Sequence, residues 1–372
     1  MRNIRQIKNL TGKRVLVRVD FNVPIKGGKV IDNFRIIKAL PTIKFLKKNN
    51  AKVILISHLG KGGETLLPVA KSLNKLMKVK FVPDIEGEMA QDAISLMKNG
   101  DVILLENLRN NTGEKDCDKF FAKNLAKMAD IYVNEAFSVD HRKDASIALL
   151  PRLLPAYAGF QLEAEVKNLS KAFKHPRHPF VFILGGAKFS TKMPLIKKYL
   201  KISDHVFIGG ALMNDFLKAK GYEVGLSLTD SSNYDISSII KNKKLFLPEY
   251  VLIEKNGKIM EKKSDEVLKD ETIIDVGEKS VKKAKTIIEN AKLILWNGPL
   301  GRYEDGGAKA TKEMLKLAAS SGAESIIGGG DTAALISKMK MEKKFSFVST
   351  GGGATLDFLA NGTLPGIKAL DR

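Results

Sequence analysis

Short apolar runs alternate along this chain with longer stretches whose apolar positions recur every three or four residues. The runs lie at 15–19, 53–56, 102–105 and 131–133, and again at 181–184, 206–208, 293–296, 325–327 and 345–348. Between them, 36–46, 120–128, 192–200, 281–291 and 309–318 carry helical spacing. Short strands without a polar face, alternating with helices, predict parallel sheets covered on both sides. No short fixed period recurs, which argues against a solenoid.

A boundary is predicted near 151–160, where Leu149-Leu150-Pro151 closes the first set of units. Residues 161–173 then read as one helix, followed by the Pro- and His-punctuated stretch 174–179 and a second set of units from Phe180. Such a helix would connect two α/β halves as a spine. Residues 231–271 look strand-like and irregular, and Leu364-Pro365-Gly366 is expected to end the last helix.

Composition agrees with two cores. The chain has 372 residues, 44% of them hydrophobic, and single cores rarely grow beyond about 250–300 residues. The first 14 residues are polar and basic, unlike a signal peptide. No apolar run approaches the roughly 20 residues that a membrane span needs. One cysteine, Cys117, cannot form an internal disulfide and fits a reducing, cytoplasmic setting. Flanked by Asp116 and Asp118, it is expected to be inert.

The formal net charge is +21, from 62 Lys and Arg against 41 Asp and Glu. Such an excess attracts anions: nucleic acid, acidic membrane or phosphorylated metabolites. The lysines are scattered over helix faces and loops, with no basic tail, no interleaved aromatics and no zinc-finger or RNP signature. A solvated lysine-rich surface is favoured over a nucleic-acid site.

The strand ends carry the chemistry. After the first strand come Arg18, Asp20 and Asn22, alternating with Val19, Phe21 and Val23. Taken alone, this segment fits an anion site or a turn capped by an Arg18–Asp20 ion pair equally well. The later strand ends of the first half add Ser57 to Lys61, Glu106 to Arg109, and Asn134-Glu135 through Arg142, with Arg35 at the first turn of a helix. Several guanidinium groups converging on one crevice suit phosphate and carboxylate. In the second half the strand ends are glycine-rich: Gly185-Gly186, Gly209-Gly210, Gly298, Gly328-Gly329-Gly330 and Gly351-Gly352-Gly353. Each cluster is expected to open a helix and to offer backbone N–H groups to a nucleotide phosphate chain. Lys188 and Lys192, four apart on one helix face, are expected to reach phosphate oxygens, and Asp331 a phosphate-bound Mg²⁺ or the helix N-cap.

Other chemistries lack their motifs. There is no Walker A loop, no G-x-G-x-x-G with a following ribose-binding acid, and no G-x-S-x-G elbow. His141-Arg142-Lys143-Asp144 lacks the Asn spacing and Asp-Phe-Gly of a protein-kinase loop. His175 and His178 have no further metal ligands nearby in sequence.

Ordered segments at 18–24, 57–60, 106–109, 134–137 with His141-Arg142, 184–188 with Lys192, 296–299, 328–332 and 349–353 together resemble the phosphoglycerate kinase family along nearly the whole chain. That resemblance implies an α/β fold: two Rossmann-like three-layer domains with parallel sheets, joined by a connecting helix. It implies a glycerate-binding domain at 1–158 with the tail 363–372 packed back on it, and a nucleotide-binding domain at 159–362 that includes the helix at about 160–173. The implied reaction is reversible phosphoryl transfer between 1,3-bisphosphoglycerate and ADP, giving 3-phosphoglycerate and ATP. By position, Asp20, Phe21, Asn22, Arg35, His58, Leu59, Gly60, Lys61, Arg109 and Arg142 would contact the glycerate. Gly186, Lys188, Lys192, Gly210, Asn297, Pro299, Glu304, Gly329, Gly330, Asp331 and Thr332 would contact the nucleotide, Glu304 at the ribose and Asp331 at its Mg²⁺. Arg35 and Lys188 would stabilise the transferring group. A monomer with no membrane or nucleic-acid partner is expected.

Three positions depart from the family pattern. Lys61 stands where Arg is usual, so a bidentate contact becomes a point charge. Asp144 replaces a His of the basic patch and is expected to weaken glycerate binding unless a lysine such as Lys143 compensates. Ala211 replaces the third glycine of Gly-Gly-Gly, which bears on close backbone approach. The alternative, motivated by the charge, is an anion- or nucleic-acid-binding protein on a degenerate kinase scaffold.

Overall fold

A computed structural model describes residues 1–230 and 236–371. They form two compact units, Met1–Lys167 with Asn361–Arg372, and Asn168–Ala360. The division falls inside the helix Phe160–Ser170.

The first unit is built on six parallel strands: β1 (Arg14–Val19), β2 (Lys52–Ile56), β3 (Lys80–Phe81), β4 (Val102–Leu104), β5 (Ile131–Glu135) and β6 (Ala156–Ala158). Their spatial order is β3-β4-β2-β1-β5-β6. Val15, Leu16, Val17 and Val19 are all fully buried, so β1 is covered on both faces. One cover is the helix Phe34–Lys48, which buries Ile36, Ala39, Leu40, Ile43 and Leu46 along one stripe. The chain winds away from β1 on one side, then returns to β5 on the other. That reversal creates a switch point outside the carboxyl ends of β1 and β5, where open α/β sheets bind ligands.

The second unit repeats the plan with β7 (Phe180–Leu184), β8 (His205–Ile208), β9 (Leu245–Phe246), β10 (Leu293–Asn297), β11 (Glu324–Gly328) and β12 (Phe347–Val348). The order is β9-β8-β7-β10-β11-β12, all parallel, with the switch point between β7 and β10. A separate antiparallel sheet, Tyr250–Lys255 between Lys258–Lys263 and Thr272–Val276, takes two of its strands from the stretch expected to be strand-like and irregular. Residues 231–235 of that stretch lie outside the described residues.

The expected class, two α/β units with parallel sheets, is the observed one. Two local expectations are corrected. Pro365 does not end a helix: the preceding one stops at Asn361, and Pro365–Leu370 is a new turn of helix with proline at its start. Proline has no N–H to lose there, and its φ is already helical. Gly298 does not open a helix either, because the loop from Gly298 runs on to Lys309 before one begins. Among the described residues no helix is long and apolar enough to cross a membrane.

Candidate functional site

At the end of β1, Asp20 is buried and accepts from the Asn22 backbone N–H at 3.0 Å and from the Ser138 hydroxyl. Arg35, at the start of the helix Phe34–Lys48, sets its Nη1 2.8 Å from Asp20 Oδ2 and 3.0 Å from the Asn22 carbonyl. Burial alone would raise the Asp20 pKa, but Arg35, His58, Ser138 and the Asn22 amide outweigh it and hold the carboxyl below its ordinary range. Asn22 in turn accepts from the Gly60 N–H at 3.0 Å, tying the first strand end to the second. Asn107 fixes the same loop, accepting from the Leu59 and Arg109 amides and donating to the Leu59 and Glu64 carbonyls.

Arg18 does not pair with Asp20. It is fully buried and donates to Ser146 Oγ at 2.8 Å, to the Val19 carbonyl at 2.7 Å and to His58 Nδ1 at 3.2 Å, with Glu114 at 3.7 Å. A guanidinium has only donors, so His58 Nδ1 must accept, and the ring proton sits on Nε2. Burial first, then Arg18, Arg109 and Arg142, push the His58 pKa well below its usual value, against the opposing pull of Asp20. His58 is therefore a neutral group with a donor to offer.

Arg109 has buried donors that go unmet. Its side chain is 6% accessible, its Nη1 donates to the Gly60 carbonyl, and its Nε and Nη2 are buried without a hydrogen-bond acceptor among the described residues. Asp144 Oδ2 lies 3.8 Å from that Nη2. The acid thus faces Arg109, while Lys143 is exposed. Arg142 and Lys61 are exposed, and the Lys115 ammonium donates to the Lys61 carbonyl. Phe21 and Leu59 are buried under the site, and the Phe21 N–H goes to Ser57 Oγ and its carbonyl to Val23. Any contact they make to a ligand must come from less than a full side chain.

In the second unit the glycine loops pack on one another. The Gly185 N–H donates to Asn297, Gly186 to Pro299 at 3.0 Å and Gly210 to Leu300 at 2.6 Å, while Leu212 returns to Gly186. A Cβ on Gly298, whose φ is +88°, would strike the Gly185 carbonyl. The expectation that these amides all point at phosphate is corrected: Gly186 and Gly210 spend theirs on the neighbouring loop. Trp296 pins the same lattice, its buried indole N–H donating to the Gly298 carbonyl at 2.7 Å. Ala211 sits at φ −60°, where a methyl costs nothing, so the missing glycine is tolerated.

The donors left over lie one loop further on. The helix Gly330–Lys338 opens without a side-chain cap. Beside it, Asn297 Nδ2 and Thr332 Oγ1 are buried with no hydrogen-bond partner among the described residues. Uncapped helix amides and two polar atoms without a partner among the described residues together leave donors free for an anion. Next to it opens a cavity of about 580 Å³ lined by Gly186, Gly210, Pro299, Glu304 and Asp331, with Met213, Leu226 and Ile273 as apolar wall. Both the volume and the mixed lining suit a small-molecule ligand.

Lys188 and Lys192 do not share a face. Lys188 is the exposed, non-helical residue before the helix Phe189–Ile202, whereas Lys192 is buried and donates to the Gly185 carbonyl at 2.6 Å. Burial, with the nearby Lys188, lowers the Lys192 pKa to about 8 despite Asp331. Cys117 is raised as expected, though by burial, Glu114 and Asp144 rather than by its flanking acids. No cluster of three or more His, Cys, Asp or Glu able to hold a metal occurs among the described residues. A lone Asp331 beside the unpaired Thr332 hydroxyl therefore fits Mg²⁺ only as magnesium usually binds, through one carboxylate and substrate phosphates.

Ser57, Asn107 and Ser138 are marked in the sequence only as members of strand-end clusters, and Ser146 and Tyr303 are not marked at all. Ser146 reaches Arg18 from 128 residues away, Ser138 reaches Asp20 from 118 and Tyr303 reaches Asp331 from 28.

Comparisons with known proteins point to one family. The family model described as phosphoglycerate kinase matches residues 4–362. A phosphoglycerate kinase of Thermosipho africanus is 44% identical over 391 aligned positions, covering 99% of this chain and 97% of that protein. One from Borrelia turicatae is 41% identical over the full length of both. Among solved structures, phosphoglycerate kinase from Pyrococcus horikoshii superposes with a TM-score of 0.89 at 31% identity, covering 100% of this chain and 98% of that one. The enzyme from Coxiella burnetii gives 0.84 at 36%, covering 99% and 98%. On sequence and fold alike, the chain belongs to the phosphoglycerate kinase family of phosphotransferases.

Proposed function

We propose that this chain transfers a phosphoryl group reversibly from 1,3-bisphosphoglycerate to ADP, giving 3-phosphoglycerate and ATP. One observation carries the reading: each sheet presents, near its own switch point, buried donors without a hydrogen-bond partner among the described residues. In the first unit these are Arg109 Nε and Nη2; in the second, Asn297 Nδ2 and Thr332 Oγ1. Two separate anionic ligands satisfy them, a phosphorylated carboxylate and a nucleotide.

A β-phosphate oxygen of ADP attacks the acyl phosphorus; the phosphorus–oxygen bond to the carboxyl breaks, and the carboxylate leaves with the bonding pair. Neither nucleophile carries a proton to remove, so no general base is needed, and catalysis reduces to positioning and charge neutralisation. Arg35 and Lys188, one from each unit, stabilise the transferring group. Asp20, Asn22 and neutral His58 read the hydroxyl and carboxylate of the glycerate, with Arg109, Arg142 and Lys61 on its phosphate. Glu304 holds the ribose, and the backbone near Gly329 to Thr332 receives the phosphates. Asp331 would hold the Mg²⁺ that, when bound, neutralises nucleotide charge. Because each unit binds one substrate, a hinge motion brings them together and excludes water from a hydrolysable acyl phosphate.

A coupled assay with 3-phosphoglycerate, ATP and Mg²⁺ tests the reading. Robust turnover supports it. Absence of turnover, with steeply salt-dependent DNA binding, would instead favour the scaffold alternative.

A further inference from the structure

The loop that follows the β10 cradle is braced from both ends. The Arg302 N–H donates to the Ile274 carbonyl at 2.7 Å, and the Asp305 and Gly307 amides both return to the Arg302 carbonyl at 3.0 Å. The Arg302 and Asp305 side chains close the turn at 2.7 Å. That loop delivers Tyr303, half-buried, to the rim of the 580 Å³ cavity. Its hydroxyl donates to Asp331 Oδ1 across a long 3.4 Å, and it also interacts with the Glu304 side chain. The phenol therefore donates to one of the two carboxylates to which the proposed function gives nucleotide roles, with the other next to it in the chain.

A carboxylate is acceptor-only, with two oxygens to share. A donor on one oxygen fixes its rotation and leaves the other to a cation, and such outer partners typically alter metal affinity by about 10–100-fold when removed. A phenylalanine ring would fill the same space without the O–H. The hydroxyl is therefore the informative part of Tyr303.

We propose that Tyr303 is a positioning residue, whose hydroxyl holds one oxygen of Asp331 so that the other meets the magnesium carried by the nucleotide. The inference rests on the proposed function through the assignment of Asp331 to that metal.

The test is Tyr303→Phe in the full chain, with ADP binding followed by titration calorimetry in EDTA and again in Mg²⁺, and with Asp331→Asn setting the floor. The metal-free Kd for ADP should stay at the parent value. The gain in affinity on adding Mg²⁺ should fall about tenfold, toward the Asp331→Asn level. An undiminished metal-dependent gain would overturn the role, as would an equal loss with and without metal, which would place the hydroxyl's effect on the nucleotide itself rather than on its metal. A parent chain that binds ADP but gains nothing from Mg²⁺ removes Asp331 from the metal and this inference with it. A parent chain that does not bind ADP at all removes the nucleotide reading itself.

Discussion

Asp144 Oδ2 and Arg109 Nη2 face each other at 3.8 Å, both buried, and neither has a hydrogen-bond partner among the described residues. The pair is held near contact without closing. An incoming phosphate must compete with a carboxylate for a guanidinium whose buried donors have no hydrogen-bond partner among the described residues. Asp144→Asn keeps the shape and removes the competitor. It should tighten 3-phosphoglycerate binding about fivefold to tenfold, on the order of 1 kcal/mol, by calorimetry without nucleotide. Asp144→His should tighten it further. An unchanged Kd would show that Asp144 moves aside at no cost.

Arg35 is half-buried and anchored on Asp20 and the Asn22 carbonyl, poised at a helix start rather than locked in the core. Arg35→Ala should lower kcat by about 10²–10³-fold, the usual cost of losing one charge-stabilising donor. The melting temperature should move by only a few degrees. Turnover near the parent value would strip Arg35 of its role.

Lys192 should make nucleotide binding sensitive to pH. Its ammonium titrates near 8 because burial and Lys188 disfavour the charge. Phosphate favours the charged form, so ADP affinity should fall as pH rises from 7 to 9.5. In Lys192→Gln the affinity should be weaker at pH 7 and nearly flat across that range. An identical slope in parent and variant would assign the titration to another group.

Asp140 should make stability pH-dependent in the opposite sense to an ordinary paired acid. Burial raises its pKa to about 7, only partly offset by Asn134 at 2.8 Å and by Arg18. The unfolded carboxyl ionises near 3.8, so the folded state loses ground as pH climbs from about 4 to about 7 and is level above that. The total is a few kcal/mol at most. Asp140→Asn should remove that share, leaving a shallower decline in melting temperature between pH 4.5 and 7.5. A parallel decline in both would contradict the assignment.

Much of this was legible in the sequence for a physical reason. In parallel sheets every interior strand is apolar on both faces, so a polar residue at a strand end stands out, as Asp20, Arg109 and Asp331 do. Short elements were not legible. Ala156–Ala158 and Lys80–Phe81 are too brief to show a period. Helices Leu67–Asn74 and Glu88–Ser95 are too short for a clear stripe. Nor were partners across long loops. Arg18 sits two residues from Asp20, yet it belongs to Ser146 and Glu114. The Gly186 amide, which composition marks as a phosphate donor, answers a carbonyl 113 residues later, at Pro299.

That last bond has a consequence for how the second site is inherited. Where three strand-end loops hold one another by their peptide groups, the contacts among them depend little on which side chains the loops carry. Amide hydrogen exchange should register this: Gly186 and Gly210 should exchange slowly with or without ADP, and protection on binding should appear at Gly330 and Asp331. Side chains around the cavity can then change, as Ala211 does where a glycine is usual, while the loops beneath stay where the main chain put them.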